Sequence, residues 1–119
     1  MFLMRIHIKR IYDETHLKDG TRILVDRLWP RGISKGKAKI SNWAKDVSPS
    51  NELRKWYQHD PGKWDEFKQR YYKELTTNPE ALETFKTRLT GETITFLFSS
   101  KELELNNAAA LKEYVEFCL

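Results

Sequence analysis

The sequence predicts an α/β protein in which a small three-stranded sheet, largely parallel or mixed, is flanked by about four helices in one compact domain, residues 1–119. Residues 5–12 alternate apolar and polar side chains, as a half-buried strand does. Residues 22–28 contain the unbroken apolar run 23–25, which is typical of a central strand covered on both faces. Strand, strand, helices, strand, helix is an α/β order, and 119 residues suffice for one core.

The strand boundaries are predicted from turn residues. Asp19-Gly20 is a turn signal just before the second strand. Trp29-Pro30-Arg31-Gly32 must leave the sheet, because proline lacks the ladder donor and glycine permits a tight bend. The third strand, 93–99, follows Gly91. The link between the first two strands has only about nine residues, which is short for a parallel crossover, so their relative direction stays open.

The helices are predicted from capping residues and from apolar spacing. Three polar residues that border a proline are expected to begin helices: Ser50, Asp60 and Asn78. The second of these helices carries aromatic residues at spacings of three and four, which we assign to the core: Trp64, Phe67 and Tyr71. A last helix begins near Asn107, and its apolar stripe ends at Cys118, which we expect in the core.

The composition excludes several classes of function. No apolar run approaches the 18 or so residues of a membrane span, and the first residues do not resemble a signal peptide, so we expect a cytoplasmic protein without a membrane partner. One cysteine excludes a disulfide framework and a cysteine-based zinc site. The three histidines are scattered, and no phosphate loop or nucleophile elbow occurs. We therefore expect no metal and no cofactor.

Positive charge is concentrated at the start of the chain. Residues 1–40 hold ten Lys and Arg against four acids, a balance of +6, whereas residues 41–119 hold eleven against thirteen, a balance of −2. This asymmetry favours an anionic partner for the first third of the chain. Alternatively, the charge serves only solubility, since a net +4 is ordinary for a small domain.

Charged and polar residues follow each predicted strand. Ligands of open α/β sheets bind outside the carboxyl ends of the strands, where a helix N-terminus also offers free N–H groups. Arginine suits such a site because its planar fork binds carboxylate or phosphate through two hydrogen bonds. The candidate ligand-binding residues are Arg10, Asp26, Arg27, Arg31, Lys101 and Asn106.

Asp26 is the one acid in this set, and two roles stay open for it. At the end of a central strand it is expected to be partly buried, and it then needs a partner. In the first role, Asp26 forms a structural ion pair with an arginine and holds the turn that follows. In the second role, its carboxylate orients the arginines or acts as a general base. Asp26 is the weak candidate for a catalytic residue.

The run Leu24-Val25-Asp26-Arg27-Leu28-Trp29-Pro30-Arg31-Gly32 resembles the signature of the YeaO-like family, in the domain-of-unknown-function 488 group. The resemblance covers nearly the whole chain and resumes at Ser100-Lys101, Asn106, Ala108 and Leu111. It implies a small bacterial or archaeal cytosolic α/β protein and supplies no function.

The chain departs from this family pattern at two positions. Relatives usually have histidine after the asparagine that begins the last helix, where this chain has Asn107, and Asp or Asn at the position of Glu102. The resemblance also implies that longer, more distant members of the group have a cysteine just after the last strand, where Ser99-Ser100 stand here. The resemblance therefore implies no thiol chemistry and favours binding over catalysis.

Three hypotheses of function remain. The first is a domain that binds a small phosphate- or carboxylate-bearing ligand, or a small enzyme acting on one, with Arg27 and Arg31 as clamps and Lys101 and Asn106 as a second wall. The second is a nucleic-acid-binding module, disfavoured because the aromatic residues belong to the core. The third is a protein-interaction subunit with tryptophan anchors, namely Trp29, Trp43 and Trp56. The oligomeric state stays open.

Overall fold

A four-stranded, wholly parallel sheet forms the centre of the protein in the computed structural model, which describes residues 4–119. The strands are β1 (Arg5–Arg10), β2 (Thr21–Leu24), β3 (Asn42–Trp43) and β4 (Thr93–Phe98). Their order in the sheet is β1-β4-β2-β3, and every neighbouring pair is parallel. The predicted α/β class is confirmed, and the three-stranded sheet is corrected to four strands.

The additional strand, β3, is the edge strand that sequence patterns miss. It has two residues, which pair with β2 at Ile23↔Asn42 and Leu24↔Trp43. Two residues cannot show the alternation by which a half-buried strand is recognised. The other strands are shorter than predicted, because the chain leaves the sheet after residues 10, 24 and 98.

The first two strands run in the same direction. Both are parallel to β4, which lies between them, so β1 and β2 are parallel without pairing. The link at residues 11–20 contains a single turn of 3₁₀-helix, Leu17–Asp19. Gly20 ends this turn at a φ of +65°, in the half of backbone space that favours glycine.

Residues 4–119 also form five α-helices: α1 (Lys35–Ala38), α2 (Asn51–Tyr57), α3 (Trp64–Thr76), α4 (Pro79–Thr87) and α5 (Asn107–Cys118). The Ser50 side chain accepts a hydrogen bond from the Leu53 amide at 3.1 Å and caps α2 as predicted. Asp60 instead begins a 3₁₀ turn, Pro61–Lys63, that leads into α3. The four-residue helix α1 was not predicted, since its sequence Lys-Gly-Lys-Ala carries no apolar stripe.

Both faces of the sheet are covered by apolar side chains. Helices α2 to α5 cover one face, where the predicted core residues Phe67 and Tyr71 are buried. The chain between β1 and β3 covers the other face with a second core, built from Ile11, Leu24, Ala38 and Leu97, with Trp29, Ile33, Ile40 and Trp43 packed against them. β2 is therefore covered on both faces, as its continuous apolar run predicts.

Cys118 is exposed, which corrects its expected place in the core. The stripe of α5 contacts the core as far as Val115, and the helix then extends past it for its last turn. Among residues 4–119, no helix combines the length and the apolar character that crossing a bilayer requires.

Candidate functional site

A cleft of about 400 Å³ lies at the edge of the sheet where β1, β2 and β4 end. This is the place at which parallel α/β sheets bind their ligands, and the volume lies in the range of small-molecule sites. Polar residues from both strand ends and helices line it: Tyr12, Asp26, Arg31, Arg54, His59, Ser99, Ser100 and Asn107. Apolar side chains, among them Leu28, Trp29, Pro30 and Tyr57, form the rest of the wall.

The Asp26 carboxylate is held in this cleft by neutral donors. Its Oδ2 accepts hydrogen bonds from the Ser99 amide at 2.9 Å and from the Ser99 hydroxyl at 2.6 Å. Its Oδ1 accepts one from Asn107 Nδ2 at 3.0 Å. Within the described chain, Asp26 forms no ion pair with an arginine or lysine. The structural ion pair considered from the sequence is therefore replaced by a serine and an asparagine.

Two of the candidate ligand-binding residues, Arg10 and Arg27, bind backbone carbonyls instead of lining the cleft. Arg10 donates from Nε to the Ser100 carbonyl at 2.8 Å and from Nη2 to the Ser99 carbonyl at 2.9 Å. Arg27 donates to the carbonyls of Pro49 and Ser48, at 3.0 and 2.8 Å. Arg10 thus fixes the loop that follows β4, and Arg27 fixes the loop that precedes α2.

Arg31 does line the cleft, and its role in binding a ligand stays a prediction. Its side chain is exposed and forms no hydrogen bond or ion pair within residues 4–119. The Tyr12 hydroxyl donates to the Arg31 carbonyl at 2.8 Å and so fixes its backbone. A second arginine, Arg54 of α2, also lines the cleft, and its Nη1 donates to Asn51 Oδ1 at 3.1 Å. No sequence signal marked Arg54, because it lies on a helix and follows no strand.

The remaining two candidates, Lys101 and Asn106, lie beside the cleft without lining it. Lys101 is exposed. Asn106 is fully buried and caps α5, since its Oδ1 accepts from the Ala109 amide at 2.9 Å and its Nδ2 donates to the Glu102 carbonyl at 2.8 Å. Both the oxygen and the nitrogen of the Asn106 side-chain amide are therefore hydrogen-bonded within the protein.

Glu102, where relatives have Asp or Asn, shapes the loop before α5. Its carboxylate accepts hydrogen bonds from the amides of Glu104 and Leu105, which lower the pKa of Glu102. This side chain lies outside the cleft lining. The replacement therefore affects the loop that leads into the last helix.

The end of α2 forms one rim of the cleft, where an aromatic side chain is followed by two residues with strained backbone. Burial, assisted by the charges of Glu102 and Asp60, raises the pKa of Tyr57 to about 12, so its hydroxyl stays protonated and donates to the Leu105 carbonyl at 2.7 Å. The next two residues, Gln58 and His59, adopt positive φ values of 47° and 55°. Such backbone costs about 1–3 kcal/mol per residue and is concentrated at functional sites.

The three tryptophans considered as interface anchors are half-buried and already engaged. Trp29 Nε1 donates to the Ile33 carbonyl at 2.8 Å, and Trp43 Nε1 donates to the Asp26 carbonyl at 2.6 Å. Trp56 lies under two cations, Lys63 and Arg70. These contacts explain the positions of the rings within the chain, and a role in binding a partner stays a prediction.

Comparison with known proteins places the chain in a family. The family described as "Inactive DUF488-N3 subclade" matches residues 5–119. The chain belongs to this family. It is also 40% identical over 110 residues to uncharacterized protein Rv3073c of Mycobacterium tuberculosis, covering 92% of each chain. It is 36% identical over 112 residues to uncharacterized protein YeaO of Escherichia coli, covering 94% of this chain and 97% of that one. No solved structure matches the chain.

Asn107, Ser99 and Ser100, where this DUF488-N3 chain departs from the pattern expected of its relatives, line the cleft, whereas Glu102 lies outside its lining. Asn107 stands where relatives usually have histidine, and it contacts Asp26. Ser99 and Ser100 stand after the last strand, where longer members have cysteine, and both line the cleft. The family match and the likeness to YeaO confirm the expected resemblance to YeaO-like proteins.

Proposed function

We propose that the cleft binds a small ligand that carries a phosphate or carboxylate group. The observation that carries this proposal is the contrast among the arginines. Arg10, Arg22 and Arg27 are each bonded to at least two acceptors within the protein, whereas Arg31 lines the cleft with its guanidinium unbonded to any described residue. A guanidinium held at a concave site binds carboxylate or phosphate through two parallel hydrogen bonds.

Arg54 supplies a second positive charge to the same cleft. Its one side-chain partner among the described residues is the neutral Asn51, so its charge is not balanced locally. Two cations in a concave wall made partly of apolar side chains strengthen the attraction for an anion, because low-dielectric walls focus the field. The ligand's anionic group is therefore expected between Arg31 and Arg54.

Asp26 sets a further requirement on the ligand. Its carboxylate lines the cleft and would repel an anion placed directly against it. It is held in place by Ser99 and Asn107, and it accepts from any hydroxyl or amino group nearby. A ligand with an anion at one end and a hydrogen-bond donor at the other satisfies both parts of the cleft.

Binding is favoured over catalysis. The group bonded to Asp26 Oδ1 is the amide of Asn107, which has no proton to exchange at neutral pH, and the Ser99 hydroxyl donates to Asp26 itself. His59 also lines the cleft but forms no hydrogen bond with Asp26 or Ser99 within residues 4–119. The family's description as inactive agrees with this chemistry. We place this function in the cytoplasm, because an exposed thiol at Cys118 suits a reducing compartment. Recovery of the protein mainly from an extracytoplasmic fraction would contradict that location.

A thermal-shift panel tests the proposal. Its ligands are phosphate, sulfate, dicarboxylates, sugar phosphates, nucleotides and a short oligonucleotide. A ligand at about a hundred times its Kd stabilises a fold by about 2.7 kcal/mol. We expect a rise in Tm with at least one small anion, lost in Arg31→Ala and kept in Arg5→Ala, an exposed arginine outside the cleft lining. A flat panel, or equal shifts in both variants, would contradict the proposal.

A further inference from the structure

The segment that follows Asp26 carries unusually one-sided charge. Residues 27–45 contain six Lys and Arg and no acid. Two of them are engaged within the protein, since Arg27 binds backbone carbonyls and Lys45 lies over the Trp43 ring. The other four are exposed and lie within nine residues: Arg31, Lys35, Lys37 and Lys39. None of these four side chains forms an ion pair with another residue of the described chain. We call residues 31–39 the basic segment.

The basic segment is fixed on the sheet. Ile33 and Ala38 belong to the second core, and Ala38 is fully buried. The Arg22 guanidinium, also buried, donates to the carbonyls of Ala38 and Lys39 at 2.9 and 3.1 Å. Because the apolar residues of this segment pack inward, its cations are displayed to solvent on an ordered backbone. The backbone that carries them therefore loses little further conformational freedom on binding.

Two glycines leave the backbone of this segment accessible. A Cβ added at Gly32 or at Gly36 would meet no atom within 4 Å. Gly36 lies in α1 with no positive φ to explain it, although glycine in a helix costs about 0.5–1 kcal/mol relative to alanine. A missing side chain between lysines allows an anionic partner to approach the main chain.

We propose that the basic segment binds the phosphate backbone of a nucleic acid. Counterion release lets Lys and Arg bind such a polyanion without apolar contacts. An acidic protein partner would need an apolar or aromatic centre to its interface, and a membrane surface would need an inserted apolar face. The large apolar side chain of this segment, Ile33, and that of Ile40 just after it pack against the second core instead. This proposal does not depend on the ligand of the cleft.

The test measures binding of a fluorescent single-stranded 20-nucleotide DNA between 50 and 200 mM salt. Four phosphate contacts predict a slope of about −2.8 in a plot of log K against log salt, which is about a fiftyfold loss of affinity over this range. The variant in which Lys35, Lys37 and Lys39 are all changed to Gln keeps one of the four cations. Its slope is expected near −0.7, and its affinity at 50 mM salt should be far weaker.

The matched control changes Lys55, Lys73 and Lys86 to Gln. These lysines are exposed on other helices, and the control has the same net charge as the test variant. It should keep the wild-type slope and affinity. Equal losses in both variants would show that net charge alone attracts DNA, and would overturn the proposal. Polyglutamate or anionic phospholipid vesicles binding as tightly as DNA would overturn it as well. Thermal unfolding of each variant confirms that it is folded.

Discussion

Asn107 donates a hydrogen bond from Nδ2 to Oδ1 of Asp26 over 3.0 Å and so joins the first residue of α5 to the chain just beyond β2. The same amide nitrogen donates to the Val25 carbonyl at 2.8 Å. In relatives with histidine at this position, the family pattern implies an imidazole beside the aspartate. In this chain the amide keeps the carboxylate in place without offering acid–base chemistry.

The Asp26–Asn107 pair is expected to be energetically coupled. Asp26→Ala and Asn107→Ala each remove a hydrogen bond that the other residue needs, so their costs should not add. A double-mutant cycle measured by urea unfolding should give a coupling free energy of about 1–2 kcal/mol, within the range found for contacting residues. Single costs that simply add would show that the contact contributes nothing to stability. Asp26→Ala paired with Lys55→Gln, which changes an exposed side chain outside the cleft lining, serves as the additive control.

Arg27 and Arg31 are predicted to differ in what they stabilise. Arg27→Ala leaves two carbonyls without their charged donor and should lower the free energy of unfolding by about 1.5–3 kcal/mol. Arg31→Ala removes an exposed, unbonded side chain and should change it by no more than about 0.5 kcal/mol. Urea unfolding of both variants measures the difference. If Arg31→Ala proved the more destabilising, the assignment of Arg31 to the cleft would fail.

Asp19 is predicted to make stability depend on pH. Burial alone would raise the pKa of Asp19, but the His16 amide and the cations of Lys9 and Arg22 outweigh burial and lower it below 3.8. A lowered folded-state pKa means that the contribution is complete above pH 3.8 and is lost as pH falls through the folded-state value. Asp19→Asn should therefore cost about 3 kcal/mol at neutral pH, as expected for breaking a buried pair.

The pH dependence of this variant is the decisive measurement for the Asp19 network. The difference in unfolding free energy between wild type and Asp19→Asn should shrink as pH falls below 3.8, because wild-type Asp19 is then neutral as well. A difference that stays constant from neutral pH to below 3 would contradict the lowered pKa. Asp13→Asn, an exposed aspartate of the same link, is the control.

Two glycines should respond in opposite ways to alanine. A Cβ at Gly20 would overlap the Thr93 carbonyl oxygen, and the positive φ there adds strain, so Gly20→Ala should lower Tm substantially. Gly36→Ala meets open space in a helix and should stabilise the fold by about 0.4–1 kcal/mol. Thermal unfolding checks both. A destabilised Gly36→Ala would show that α1 has a packing constraint absent from the structure.

The sequence predicts the parts of the fold that repeat a pattern. The apolar run of β2 and the spacing along α3 and α5 are long enough to fix their type, and Ser50 marks the start of α2. The two-residue strand β3 and the four-residue helix α1 are too short for any period to appear. They are stabilised by packing, since side chains such as Ile33 and Trp43 cover the second face of the sheet.

The place of the cleft follows from the sequence, but not all of its residues do. Asp26 and Arg31 line it because they lie in the loop that follows β2, whereas Arg54 comes from a helix whose approach is set by packing. Sequence reasoning also cannot tell which arginine binds a ligand and which binds carbonyls of its own chain. Arg27 and Arg31 are four residues apart in the same motif, and only the folded loops separate their roles.

The most direct test of the central claim is a titration of the ¹⁵N-labelled protein with inorganic phosphate, followed by the backbone amide shifts. If the cleft binds phosphate, we expect saturable shifts at residues around the wall of the cleft, namely Arg31, Arg54, Ser99, Ser100 and Asn107. Those shifts should disappear in Arg31→Ala, while that variant keeps the dispersion of a folded protein. Shifts confined to residues 35–39, or no saturable shift with phosphate and none with a dicarboxylate in a second titration, would contradict an anion site at the ends of the strands.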